Sequence, residues 1–208
     1  METVEDVTRV RLVGGNFALD FVNTRSGPIG GAPDIDVLAD YSALVTWAMY
    51  AGGLTETEAR LSRRLARADH PEADAVFARS LHIRDDLDAV LGALAASERP
   101  ASAAMLRLRD AEADAVAHGR LEDHGTFRWT WHDDRTLARP LRPVVHAAIE
   151  LLTSGERDRI KRCGGCSFLF YDESKNGSRR WCSMDDCGTT EKVRRYVAAR
   201  RTRTAITV

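Results

Sequence analysis

Apolar residues recur at helical spacing through most of the first 150 positions of the 208-residue chain. This pattern predicts a run of amphipathic helices. Asp36 is expected to open the first helix, and Thr55 and Glu58 form a capping box that starts the second. The predicted helices cover about residues 36–51, 56–68, 71–99, 103–116 and 141–152.

Extended patterns are fewer and shorter than the helical ones. Residues 126–131 alternate between apolar and polar positions as a strand does, and residues 10–13 are a second candidate strand. The apolar run over 17–24 fits a strand or a short helix, and its pattern does not choose between them. We therefore predict a mainly α fold of the α+β class, in which a helical N-terminal domain carries a few short strands.

All four cysteines lie near the C-terminus, in the order C-x2-C, fifteen residues, C-x4-C. That spacing suits four thiolate ligands of one zinc ion, and Gly164 and Gly165 allow the chain between the first pair to turn sharply. The alternatives are a disulfide and inert or redox-active thiols. We expect one structural zinc ion per chain, bound by Cys163, Cys166, Cys182 and Cys187.

The residues around the cysteines predict the architecture of this module. An aromatic, extended run follows Cys166, and Asn176-Gly177 favours a turn from which the chain returns as a hairpin through residues 179–181. Thr189 or Thr190 is suited to capping a terminal helix. A knuckle, a hairpin and a helix around one ion resemble a treble-clef finger.

Charge is distributed unevenly between the two parts of the chain. The whole chain has 30 lysines and arginines against 31 acidic residues, but residues 155–208 contain 13 basic and 7 acidic residues. A basic metal-binding module favours contact with nucleic-acid phosphates, and the alternatives are an acidic protein partner and a merely solvated helix. The candidate DNA-binding residues are Arg179, Arg180, Lys192, Arg194, Arg195 and Arg201.

Several motifs of the module occur together: the two cysteine pairs, the aromatic run, residues 176–184 and Cys187-Gly188. With the basic helix that follows, they resemble the CGNR zinc fingers, C-terminal modules of bacterial proteins regarded as transcription regulators. The resemblance covers about residues 156–203 and implies zinc binding. The name motif of that family ends in Asn-Arg, whereas this chain has Thr189 and Thr190. A phosphate or base contact by an arginine at the start of the helix is therefore lost.

The N-terminal half carries a second set of motifs, which comprises Gly14-Gly15, residues 19–24, Asp40-Tyr41 and residues 44–47. Together they resemble the ABATE domain, the usual N-terminal partner of the CGNR finger. The two resemblances therefore span almost the whole chain.

The combined resemblance implies two domains, a helical one over residues 1–154 and a zinc finger over residues 155–208. In such an architecture the first domain is expected to sense a small-molecule effector, to form a homodimer, or both. Asp20, Asn23 and Trp47 are the candidate lining of a ligand pocket. The alternatives are local capping for the two polar residues and core packing for the tryptophan.

No catalytic constellation is recognisable in the first 150 residues. The histidines include no H-x3-H pair, and there is no Gly-rich phosphate loop and no G-x-S-x-G elbow. We therefore expect no enzyme activity. The leading hypothesis is a DNA-binding transcription regulator whose zinc is structural. The alternatives are a protein-interaction adaptor with a basic zinc module and an enzyme of unknown chemistry in the N-terminal domain.

The chain begins METVEDVTRV, which contains no apolar segment of the kind found in secretory signals. It also lacks an apolar run approaching the roughly 20 residues of a membrane-spanning helix. We expect a cytoplasmic protein without a membrane partner.

Overall fold

The structure is a computed structural model that describes residues 2–3, 6–132 and 135–206. Within these ranges the fold is mainly helical with short strands, as predicted. The helices are α1 (Phe17–Val22), α2 (Tyr41–Tyr50), α3 (Glu56–Ala68), α4 (His70–Ala95), α5 (Ser102–Ala117), α6 (Arg142–Ser154) and α7 (Thr189–Ile206). The strands are β1 (Glu2–Thr3), β2 (Arg25–Ser26), β3 (Ile35–Asp36), β4 (Arg120–Asp123), β5 (Phe127–Thr130), β6 (Ile160–Arg162) and β7 (Leu169–Tyr171).

The short helix α1 lies at the centre of the fold, in contact with α4, α6 and β7. Its residues after Phe17 are all buried. The run over 17–24 is helical because Asn16 caps it, accepting a hydrogen bond from the Ala18 amide at 2.9 Å. Residues 10–13, a candidate strand, have no regular secondary structure, and Val13 packs against the cluster of Cys163, Phe170 and Cys182.

The capping box at the start of α3 is confirmed. The Glu58 carboxylate accepts from the Thr55 amide at 2.6 Å, and the Thr55 hydroxyl accepts from the Glu58 amide at 3.4 Å. Glu58 also binds His132 at 2.7 Å and the buried Arg139, so this helix start is tied to the segment before α6. Burial alone would raise the pKa of Glu58, but these hydrogen bonds outweigh it and lower the pKa to about 2.

Asp36 does not open a helix, and that prediction is wrong. Helix α2 begins five residues later, where Asp40 accepts from the Ala43 amide at 2.7 Å. Asp36 ends β3 and forms a buried bidentate ion pair with Arg84 of α4, at 2.8 and 2.5 Å. The same guanidinium donates to the Thr24 hydroxyl at 3.0 Å. The Asp36 carboxylate, which the local pattern assigned to a helix start, therefore pairs with a residue that is distant in the sequence.

The strand predicted over 126–131 is present as β5 and pairs antiparallel with β4, which the sequence pattern did not indicate. Trp131, the residue after β5, donates its indole N–H to the Ala115 carbonyl of α5 at 2.7 Å. The hairpin is thereby anchored to the helical bundle at its base.

The zinc module begins with a hairpin that differs from the predicted one. Strand β7, the aromatic run, pairs with β6, which precedes the first cysteine pair, so the knuckle is itself the hairpin turn. Residues 179–181, through which the predicted hairpin was to return, form no strand in the described structure. Ile160 of β6 and Leu169 of β7 are buried in the main core with the helices. Core packing therefore decides which segment pairs with β7.

The C-terminal helix α7 starts directly after a π-helical turn over Met184–Gly188. It contacts mainly that turn, so the helix projects from the rest of the fold. None of the helices in the described ranges combines the length and the apolar character that a bilayer crossing requires.

Candidate metal centre and nucleic-acid interface

Three segments bring the four cysteines together. Cys163 follows β6, and its amide donates to the Phe168 carbonyl at 2.8 Å, which closes the knuckle around Cys166. The Gly164 amide donates to the Arg180 carbonyl at 2.9 Å, which places the third cysteine, Cys182, beside the knuckle. Cys187 is carried by the π-helical turn before α7.

The four sulfur atoms form a compact cluster. All lie within 4.8 Å of one another, and the Cys166–Cys182 and Cys182–Cys187 Sγ–Sγ distances are 3.7 Å. A tetrahedral site with zinc–sulfur bonds of about 2.3 Å requires sulfur atoms about 3.8 Å apart. The thiols are free rather than paired in disulfides. The donor set and its dimensions therefore fit a zinc ion.

The knuckle glycines are required by space, a reason additional to the turn that the sequence suggested. A Cβ on Gly165 would lie 2.9 Å from the Cys187 Cβ and 3.2 Å from its Sγ. A Cβ on Gly164 would lie 2.8 Å from the Trp181 ring. Two ligand-bearing segments can approach this closely only because neither glycine carries a side chain.

Backbone amides point at the cluster and favour charged sulfur. The Gly165 amide donates to the Cys163 Sγ at 3.3 Å, and the Cys182 amide donates to the same atom at 3.2 Å. Such amide–thiolate bonds are a common feature of metal-bound thiolates. They also orient the sulfur before a metal binds.

Without a cation, the thiols cannot all ionise. Hydrogen bonds from Cys166 and Cys182 lower the pKa of Cys163 far below its ordinary value, whereas the pKa of Cys166 rises to about 12 because it donates to Cys163. The pKa of Cys182 is raised for the same reason. Like charges so close together disfavour a second ionisation. A divalent cation supplies the charge that would let four thiolates coexist.

Asp172 organises the loop between the cysteine pairs, and sequence reasoning missed it. Its fully buried carboxylate accepts from the Lys161 ammonium at 2.7 Å, the Ser174 amide at 3.0 Å and the Arg179 amide at 2.9 Å. Burial would raise the pKa of Asp172, but these donors together hold it well below its ordinary value. An acid directly after the aromatic strand of a basic module was the signal available in the sequence.

Arg179, one of the predicted DNA contacts, takes part in the structure of the zinc module itself. Its guanidinium donates to the carbonyl oxygens of Trp181 at 2.9 Å, of Val13 at 3.1 Å and of Cys182, and it lies over the Phe170 ring at 4.4 Å. The side chain therefore helps to fix the ligand-bearing loop.

The other predicted cations lie at the surface. Arg180 is exposed beside the Trp181 ring, at 5.6 Å from its centroid, and Lys192 is exposed on the first turn of α7. Arg194 and Arg195 are exposed too, but each is paired with Glu191 at 2.9 Å. The side chain of Arg201 lies outside the part of the chain that the structure describes in full.

The three residues predicted to line a ligand pocket are all buried in the described structure. Trp47 is fully buried, stacked on Phe17 with ring centroids 5.0 Å apart. Asp20 is buried and accepts from the Gly14 amide at 2.7 Å. Asn23 is buried and forms two hydrogen bonds with the Leu169 backbone, at 2.8 and 2.9 Å. Core packing therefore describes Trp47 and local bonding describes Asp20, whereas Asn23 binds a strand 146 positions away.

Both halves of the chain match models of known protein families. Residues 15–155 match the model of the ABATE family, described as a putative stress-induced transcription regulator. Residues 159–201 match the model of the CGNR zinc finger. None of the curated proteins matches the chain significantly.

Proposed function

The chain belongs to the ABATE family and carries a CGNR zinc finger, and on that premise we propose that it is a zinc-dependent, DNA-binding transcription regulator. The observation that supports this function best is the position of the cysteine cluster. Arg180 lies two residues before Cys182, and Lys192 lies five residues after Cys187, so both cations flank the metal site.

We assign the zinc a structural role. Four protein ligands fill a tetrahedral site and leave no open position for water or substrate. The ion would cross-link the knuckle, the loop before Cys182 and the turn before α7, and would thereby fix the relative positions of Arg180 and Lys192. Cys163, Cys166, Cys182 and Cys187 would hold it.

DNA contact is assigned to four exposed cations: Arg180, Lys192, Arg194 and Arg195. Glu191 must release its two arginines before both can bind phosphate, so part of their contribution offsets a broken ion pair. Four neutralised phosphates predict that the logarithm of affinity falls with the logarithm of salt concentration at a slope of about −3.6.

Fluorescence anisotropy with short duplexes at low ionic strength tests the proposal. Changing Arg180 and Lys192 together to glutamine should reduce the magnitude of the salt slope by about two and weaken binding to all sequences alike. Arg64→Gln, an exposed arginine on α3, is the matched control and should leave the slope unchanged. An absence of salt-dependent binding by the zinc-loaded chain would contradict the function.

One observation favours the adaptor alternative. Val193, Tyr196 and Val197 form an exposed apolar stripe along α7, and Tyr196 is 63% exposed. Exposed apolar stripes of this kind commonly contact a protein partner. If duplex binding fails while Tyr196→Ser prevents complex formation with a protein, the adaptor function replaces the one proposed.

We propose no catalytic role for the helical domain. His132 is engaged by Glu58, and His146 binds Glu112 at 2.7 Å beside Trp131. Both histidines hydrogen-bond a glutamate, and His146 also packs against two tryptophan rings. A hydrolase or transferase activity that vanishes on changing His132 would overturn this part of the proposal.

A further inference from the structure

A cavity of about 510 Å3 opens at one end of the helical bundle, where α4, α5 and α6 meet the turn before β6. It lies within the size range of small-molecule sites. No function described above uses it. Its lining separates into an apolar wall and a cationic rim, which together indicate the chemistry of a ligand.

The apolar wall is contributed by all three helices. Leu94 comes from the end of α4, Met105 and Leu106 from the first half of α5, and Leu152 from the end of α6. Met105 and Leu106 are 38% and 51% exposed on neighbouring helical positions. Covering them with an alkyl chain would remove apolar surface from water.

The charged lining carries one sign. Arg99, Arg109 and Arg157 border the cavity, and no acidic residue is among its described lining. Arg109 is held by Asp110 at 2.9 and 2.5 Å, but no ion pair is shown for Arg99 or Arg157 within the described ranges. The amino end of α5 adds to the positive potential, because Ser102 lines the cavity and the cap residue Ala101 offers no side-chain acceptor.

A second cavity shows that this arrangement is not a general property of the bundle. That cavity, of about 400 Å3, is also lined by arginines, but Asp86 binds Arg107 within it, and Asp110 and Asp114 line it as well. Its charges are nearly balanced. Of these two cavities, only the one at the α4–α5–α6 end combines an apolar wall with arginines and no acidic residue in its described lining.

We propose that the cavity beside Arg99 and Arg157 binds a small amphipathic anion, namely a free medium-chain carboxylate. The alkyl chain lies against Leu94, Leu106 and Leu152, and the carboxylate accepts hydrogen bonds from the guanidinium groups. Guanidinium–carboxylate pairs are charge-assisted and directional, which suits a single head group.

The site is placed to affect the zinc module. Arg157 begins the turn that leads into β6, and Arg159 in the same turn donates to the Asp172 and Ser174 carbonyls at 2.8 Å each. Asp172 in turn organises the loop between the cysteine pairs. A carboxylate held by Arg157 would therefore order the turn that supports the metal-binding loop. This coupling rests on the proposed function, whereas binding itself does not.

Calorimetric titration of the zinc-loaded chain with monomeric octanoate and decanoate tests binding. Each added methylene should strengthen binding about fourfold, so decanoate should bind about fifteenfold more tightly than octanoate. Decylamine, with the same chain length and the opposite charge, should not bind. Equal binding of the amine, or binding only to phosphatidylglycerol vesicles, would overturn the proposal.

Variants test the cationic rim and the apolar wall of the site separately. Changing Arg99 and Arg157 together to glutamine should weaken decanoate binding at least tenfold, and Leu106→Gln should reduce the gain per methylene. Arg64→Gln serves again as the control and should bind as the wild type does. Unchanged affinity in the double variant would contradict the site. Arg99, Leu106 and Arg157 are all exposed, so their substitution should leave the fold intact and weaker binding should report on the site itself.

Measurements of DNA binding with and without decanoate distinguish this inference from the proposed function. Duplex affinity is measured with and without decanoate at constant ionic strength, and it should change in the wild type but not in the Arg99 and Arg157 double variant. Decanoate binding without any duplex binding would support the site and contradict the DNA-binding function. Duplex binding without decanoate binding would do the reverse.

Discussion

The helical domain and the zinc module hold their side chains together by different means. The main core contains many fully buried apolar residues, among them Phe21, Trp47 and Leu91. The second cluster contains only three buried residues, Cys163, Phe170 and Cys182, and two of them are metal-ligand candidates. The packing of the helical domain is therefore distributed over many contacts, whereas the packing of the zinc module centres on the cysteine cluster, where we propose a zinc ion.

This difference predicts which single changes are severe. A distributed core loses a few kcal/mol when one residue is changed. A module whose core is a single ion loses nearly all of its folding free energy when one ligand is removed. The predictions below test the contrast, from the largest expected effect to the smallest.

Removing the metal should have the largest effect, about 10 kcal/mol, because structural zinc supplies folding free energy directly. We expect one zinc equivalent per chain, and Cys182→Ser or a strong chelator should abolish it. Hydrogen exchange should then rise over the loop between the cysteine pairs and α7, while α4, α5 and α6 stay protected. Loss of protection throughout the chain would show that both regions depend on the ion.

Arg179 and Arg180 form a matched pair of neighbouring cations with opposite expected effects. Arg179→Ala should destabilise the zinc module by about 3 kcal/mol, because three carbonyl oxygens lose a charged donor. Arg180→Ala should leave stability nearly unchanged and weaken duplex binding. Thermal unfolding and anisotropy of both variants check the prediction, and equal stability of the two would contradict the assigned role of Arg179.

Asp20 should make the helical domain less stable as the pH rises. Burial raises its pKa from the ordinary 3.8 to about 6. Between these values the folded protein keeps a proton that the unfolded chain releases, so the free energy of unfolding falls as the pH increases. Relative to wild type, Asp20→Asn should gain up to about 3 kcal/mol between pH 3.5 and pH 7.

Denaturant titrations of wild type and Asp20→Asn at several pH values measure that difference. Glu58 and Asp172, whose pKa values are lowered, favour folding at higher pH, but they are present in both proteins and cancel. A difference in unfolding free energy that stays constant with pH would refute a raised pKa at Asp20.

Asn23 connects the two regions, and its change should have the smallest effect of this series, about 2 kcal/mol. Asn23→Ala removes both hydrogen bonds to Leu169 and leaves a buried amide and a buried carbonyl without that partner. Chemical denaturation should show lower stability while the zinc content remains at one equivalent. Loss of zinc in this variant would mean that the knuckle depends on α1 for its geometry.

Features with local causes could be predicted from the sequence. The cysteine spacing placed four thiols together, and Thr55 with Glu58 set the start of α3 correctly. Both depend on residues a few positions apart, or on a repeat of known spacing. The boundaries of most helices follow from the same kind of local pattern.

Features with distant partners could not be predicted. Asp36 looks like a helix start until Arg84, 48 positions away, is known to bind it. Arg179 looks like a phosphate contact until the carbonyl of Val13 is brought beside it, 166 positions away. Likewise, β7 pairs with β6 because Ile160 and Leu169 share the main core, which no local propensity records.

The hairpin β6–β7 has a practical consequence for protein engineering. Its turn carries the first two metal-ligand candidates, yet its side chains Ile160 and Leu169 are buried in the main core with the helices. A finger excised at residue 159 and grafted onto a foreign carrier would expose those two side chains to water. Chimeras that exchange the finger should therefore keep the packing of β6 on α4 and of β7 on α1, or replace both residues by polar ones. The finger cannot be transferred without the helices on which it packs. We expect recombination between relatives to keep α1 and β7 together.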